Sequence, residues 1–170
     1  MAAHIPVWVY FIVVALVALG WRQARTRAVP VGMVTGIALG MLGLSLYGVI
    51  AAFGARPAPL AAWSLGMAVS VVFGRSVLGP RSLVALSASR VQVPGSWLPG
   101  VLMMGIFAAK FVLGFAKGVG SPLVAAPGFV AGASFVFGLL SGAFTARAVV
   151  VHQFMRDAQR APVAVLQAPA

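Results

Sequence analysis

The chain has no cysteine, two histidines and one acidic residue, Asp157. Without thiols there is no disulfide, no thiolate metal site and no cysteine nucleophile. A lone carboxylate excludes the carboxylate pairs of acid–base hydrolysis and, within the apolar runs, a Ser-His-Asp arrangement. Charge is scarce altogether: 8% of residues are charged and 62% hydrophobic, whereas a soluble domain carries about 25% charged residues. So few charges cannot clothe a water-facing surface, and lipid must cover most of this protein.

What is present is a series of apolar runs in 170 residues. Five are long enough to read as spans, given that a span takes about 20 residues: 5–21, 31–53, 60–78, 96–117 and 128–151. The first is at the short end of that range, with Trp8 and Tyr10 at its start and Trp21 at its close, where an aromatic belt belongs. No Lys or Arg precedes it, and Arg22, Arg25 and Arg27 follow it. It therefore reads as a retained span with its N-terminus outside, not as a signal peptide. The expected fold is an all-α membrane protein, a five-transmembrane-helix bundle forming one domain over residues 1–155, with a flexible cytoplasmic tail over 156–170. Small residues recur at four-residue spacing: Gly32, Gly36 and Gly40; Ala62, Gly66, Ser70 and Gly74; Ser134, Gly138, Gly142 and Ala146. Such small-xxx-small stripes let helix backbones approach closely. They are expected to pack within the bundle, with homodimerisation as the other use. Between the third and fourth spans, Leu83, Val84 and Leu86 suggest a short amphipathic surface helix, and Arg90-Val91-Gln92-Val93 alternates like an extended piece.

The formal charge is +11. In a soluble protein that would suggest nucleic acid. Here the cations flank apolar runs a few at a time, as topology signals and contacts to anionic headgroups do, so no nucleic-acid partner is expected. With the N-terminus periplasmic and the C-terminus cytoplasmic, the inner segments hold Arg22, Arg25, Arg27, Arg75, Arg81, Arg90, Arg147, Arg156 and Arg160, and the outer ones only Arg56 and Lys117. The positive-inside rule favours that threading of a multi-pass membrane protein. His4 and His152 then lie on opposite faces, too far apart to share a metal or a haem. No cofactor, metal site or catalytic residue is expected.

Three cations are candidate ligand, partner or lipid contacts: Lys110, Lys117 and Arg147, the last marking with His152 the exit of the fifth span. Lys110 stands out. In a helix from about Ser96 it lies roughly 21 Å along the axis, leaving about 10 Å to the outer interface. A charge held in a span costs about 2.5–3.5 kcal/mol on insertion scales. Lys117, seven residues on, falls on nearly the same helical face. Three readings stay open: a snorkelling side chain, a cationic lining for an anionic solute, headgroup or quinone-type ligand, or a partner to an acid in another protein's span. A Ser-Lys dyad between Lys110 and Ser70, Ser134 or Ser141 is formally available, though the small-residue stripes already account for those serines. The leading function is a non-enzymatic structural or accessory role, in a homo-oligomer or beside a membrane partner. The alternative is a small transporter or channel for an anionic or amphiphilic solute.

The phrases HIPVWVYFIVVALVALGWRQAR, MLGLSLYGV, VPGSWLPGVLMMGIFAAKF and GLLSGAFTARA together resemble a family of small proteobacterial inner-membrane proteins of unknown function. More loosely, the arrangement is similar to CcdC-like membrane proteins associated with cytochrome biogenesis. The resemblance covers nearly the whole chain in order. It implies an inner-membrane location, a basic residue at the position of Lys110, and Gly-Arg at the end of the fifth span, where this chain has Ala146-Arg147.

Overall fold

A computed structural model describes residues 7–77, 83–87, 89–93 and 95–160. It contains five α-helices: α1 Val7–Gln23, α2 Val31–Phe53, α3 Pro57–Val77, α4 Leu98–Gly118 and α5 Pro127–Arg160, with a 3₁₀ turn, Pro122–Ala125, before the last. Four of them, α2 to α5, are long and apolar enough to cross a membrane, and α1 is a shorter apolar helix. Pro57 and Pro127 each begin a helix, where the missing N–H costs nothing. Gly54 and Gly120 take positive φ just after α2 and α4, which ends a helix without Cβ strain.

The bundle is organised around α5. Its 34 residues make a rod of about 51 Å, longer than a hydrocarbon core of about 30 Å. Eleven of its side chains are buried, and it packs on α2, α3 and α4. The closest approach is to α3. Wherever the two helices cross, small residues stand at the contact: a Cβ on Gly138 would meet the Trp63 carbonyl, one on Gly66 the Phe135 carbonyl, and one on Gly142 the Met67 carbonyl at 2.8 Å. From Trp63 against Gly138 to Ser70 against Gly142 the contact advances along both chains, so α3 and α5 run parallel. A second close contact joins α1 to α4, where a Cβ on Gly100 would lie 2.8 Å from the Gly20 Cα.

The stripes on α3 and α5 thus pack as their spacing suggested. The stripe on α2 does not: Gly32, Gly36 and Gly40 meet nothing within 4 Å. The buried face of α2 carries Ala38, Ser45 and Val49 instead, a different side of the helix.

A purely helical fold is also too simple. Arg27–Pro30 (β1), Val84–Ser87 (β2) and Arg90–Val93 (β3) form an antiparallel sheet in the order β1-β3-β2. The alternation over Arg90–Val93 marks the central strand: Val91 and Val93 point inward and pack with Val29, Val151 and Met155. The expected amphipathic helix at Leu83–Leu86 is strand β2, exposed throughout, because β3 offers it a free edge: Val84 pairs with Gln92 and Ala85 with Val91. Of the tail expected over 156–170, residues 156–160 are helical, since α5 continues to Arg160. Residues 161–170 lie outside the described residues. The last turns of α5 are held by the sheet, which supplies an apolar surface that water would not.

One end of the bundle therefore gathers the C-terminal ends of α1, α3 and α5, the N-terminal ends of α2 and α4, and the sheet. Ser96 N–H donates to the Gln23 carbonyl, and Val31 N–H to that of Ser89, tying these connections together.

The α3–α5 contact generates a direct test. Gly138→Ala is expected to destabilise the detergent-purified chain by about 1–3 kcal/mol or more through overpacking. Gly36→Ala, which enters open space, should stay within about 0.5 kcal/mol. Thermal melts of the two variants compare them, and equal melting temperatures would contradict so close an approach.

Candidate functional site

Three places hold polar groups where apolar ones would be expected. The first is inside the α2–α3–α5 core. Trp63 Nε1 donates to Ser45 Oγ at 3.0 Å, and Ser45 Oγ donates to the Phe137 carbonyl at 2.9 Å. Ser141 Oγ donates to the same carbonyl, also at 2.9 Å. Ser45 thus relays between the indole and α5, which lets a large polar-tipped ring sit in the core. Ser134, also buried, has a hydroxyl without a partner among the described residues. It fills a position on the α5 stripe where little more than a small side chain fits.

The second is the half of the α2–α4 contact away from the sheet. Lys110, half-buried, lays its ammonium group against α2 so that a Cβ on Gly48 would be 3.0 Å from Nζ. One turn further along α2, Lys117 Nζ donates to the Ala52 carbonyl at 2.8 Å and stands 5.8 Å from the centre of the Phe53 ring. Both lysines point at the same helix. Lys117 satisfies a carbonyl in the last turn of α2, where positive charge also complements the helix dipole. The absent side chain of Gly48 makes room for the Lys110 stem. The serines weighed as dyad partners are elsewhere: Ser134 and Ser141 are buried on α5, Ser70 stands where α3 meets Gly142, and among the described residues none hydrogen-bonds Lys110.

The third is at the sheet end. A small cavity of about 50 Å³ lies among α1, β1, α2, β3, α4 and α5. Its polar lining is Gln23, Arg27 and Arg147, and the rest is apolar, including Met33, Ile37, Met103 and Phe144. Arg147 is half-buried, and Arg27 is exposed at the rim. Of the three sequence candidates, then, Lys110 and Lys117 are brought together and Arg147 is not with them. Arg27 and Gln23 were not singled out beforehand. Nothing in the linear sequence marks them, because only the pairing of Arg27 with Val93 carries that strand over the end of α5.

Two larger, more open hollows face outward. One of about 560 Å³ lies beside Phe53, Arg56, Pro57 and Pro127, and one of about 410 Å³ lies between α4 and α5 along Val112, Leu113, Phe129 and Phe137. His152 proves not to mark a helix end, since α5 runs on to Arg160. Its ring is exposed, with Nε2 at 2.7 Å from Thr35 Oγ1. Thr35 Oγ1 also lies 3.1 Å from the Val31 carbonyl, so the hydroxyl stands between α2's own backbone and the imidazole. His4 lies outside the described residues.

The hydroxyl network separates two serines that look alike in sequence. Ser45→Ala should cost about 1–3 kcal/mol, since it strands the Trp63 N–H in the core. Ser134→Ala removes a hydroxyl that has no partner and should be neutral or stabilising. Melting temperatures in one detergent decide it, and a larger loss for Ser134→Ala would refute the network as drawn.

No curated protein and no solved structure matches the chain. The comparisons carry neither a proteobacterial link nor a CcdC-like one. What does match, over residues 1–164, is the model of a family of unknown function (DUF6622), and the chain belongs to that family.

Proposed function

We propose that this protein is a multi-pass component of the bacterial inner membrane with a non-enzymatic, accessory role. Its N-terminus is periplasmic, its sheet end cytoplasmic, and lipid or another membrane protein its partner. The observation that carries the reading is how the cations divide. Among the described residues Arg22, Arg25, Arg27, Arg75, Arg90, Arg147, Arg156 and Arg160 lie toward the sheet end, while only Arg56 and Lys117 lie at the other, with Lys110 between. Successive helices alternate in direction, so one end collects most of the positive charge, as the cytoplasmic side of an inner-membrane protein does. The outward faces support lipid contact: Phe11, Val14, Tyr47, Leu65, Phe73 and Val101 are all exposed, and water would not tolerate them together.

An accessory role suits the lysines better than transport does. Lys110 lies across Gly48 and lines none of the three cavities above. A solute path would need it to face an aqueous space. As a side chain laid along α2 toward Lys117 and the nearer interface, it needs no substrate.

Two measurements test this. Alkaline phosphatase fused after Arg56 or after Gly120 is expected to be active, and fused after Arg160 inactive. The reverse pattern would overturn the orientation. Lys110→Leu is expected to leave cellular abundance within about twofold of wild type or to raise it, because it removes a costly charge. A tenfold loss of abundance, or loss of a co-purifying membrane protein, would favour a partner's acid over the accessory scaffold.

A further inference from the structure

We propose that the cavity at the sheet end is a binding site for the phosphate group of an anionic phospholipid, gripped between Arg27 and Arg147 with the Gln23 amide beside them. The inference rests on the membrane reading above and gives it a ligand. Three observations lead to it.

The first is electrostatic. Two guanidinium groups line one small cavity, Arg147 half-buried within it and Arg27 at its rim. Among the described residues no carboxylate stands against either, and the chain's one acid, Asp157, is exposed on α5 about 15 Å of helix beyond Arg147. Like charges gathered in a part-buried place need an anion to offset them, and paired guanidinium forks match the oxygens of a phosphate.

The second is the state of Gln23. Among the described residues its side-chain amide reaches only the Met103 sulfur, at 3.9 Å, and a thioether is a weak acceptor. The amide is half-buried and has donor capacity left for a stronger oxygen.

The third is size and lining. About 50 Å³ holds a few water molecules, enough for one oxyanion group and too little for a whole metabolite. Beyond the three polar groups the wall is apolar: Val29, Met33, Ile37, Met103 and Phe144. Phosphate could come from a lipid or from solution, and this lining selects the lipid. A headgroup phosphate can sit in the cavity while the glycerol and chains continue along α2 and α4, which a soluble anion would leave empty.

The test uses the full chain in a mild uncharged detergent. Short-chain phosphatidylglycerol, short-chain phosphatidylcholine and inorganic phosphate are titrated separately and followed by calorimetry, with native mass spectrometry for stoichiometry. One phosphatidylglycerol per chain should bind at least tenfold more tightly than either alternative. Arg147→Gln and Arg27→Gln should each weaken it tenfold or more. Arg147→Lys should retain part of the affinity, and Lys117→Gln, at the other end of the bundle, should leave it unchanged. The Arg27 variant keeps the test decisive if Arg147→Gln fails to fold, since Arg27 is exposed on a strand end. Equal weakening by Lys117→Gln would mean diffuse surface charge and overturn the site. Binding of phosphatidylcholine as tight as that of phosphatidylglycerol, or arginine variants indistinguishable from wild type, would also overturn it. Inorganic phosphate binding as tightly would overturn the lipid as its source. A chain that stays detergent-dependent yet ignores phosphatidylglycerol loses this site alone, whereas a detergent-free monomer in buffer would remove the membrane reading with it.

Discussion

The architecture depends on how closely α3 and α5 can approach. In the membrane setting proposed above there is no hydrophobic gain from helix association, so van der Waals contact and hydrogen bonds would hold the helices. Gly66, Gly138 and Gly142 bring one backbone onto the other, and a single added methyl at Gly138 would run into the Trp63 carbonyl. That pairing positions Trp63 to reach Ser45 on α2, so a steric contact between two helices sets the hydrogen bond that fixes the third. The remaining helices are added to this core. α4 joins through Leu113 and through its lysines on α2, and α1 attaches along α4 through Gly20 and Gly100.

Charge is arranged around that core by a different rule. A bundle with one acid cannot neutralise its cations internally, so each must find water, a carbonyl, a ring face or a foreign anion. Lys117 takes a carbonyl and an aromatic face. Arg75, Arg156 and Arg160 are exposed. Arg147 is half-buried where the sheet covers α5, with no side-chain hydrogen bond or ring contact among the described residues, and this is why its surroundings carry more chemical information than those of Lys110.

Much of the helical layout was legible in the sequence. The second span, read as 31–53, coincides with α2, because Pro30 and Gly54 punctuate it. The stripes on α3 and α5 could be read as an interface since spacing alone decides which residues share a helical face. The same argument misled for α2: a face of small residues shows that close packing is allowed there, while which face is used depends on where Ser45 and Val49 find partners. The sheet was half legible. Four alternating residues announced β3, but β1 and β2 owe their form to that strand and carry little pattern of their own. The cavity was not legible, for Gln23, Arg27 and Arg147 are far apart in the chain and meet only through tertiary structure.

The sheet has a temporal consequence. β1 leaves the ribosome directly after α1, yet its partner β3 lies beyond two more helices, with Arg27 aligned to Val93. The apolar surface that both strands cover, around Val151 and Met155, comes later still. The first strand must therefore wait through two helices before it can pair, and the clasp that joins two of the connections gains its apolar cover only after the final helix has been made. The sheet end is thus the last part of the molecule to be completed, and a chain arrested before α5 would hold its earlier helices with that end unfastened.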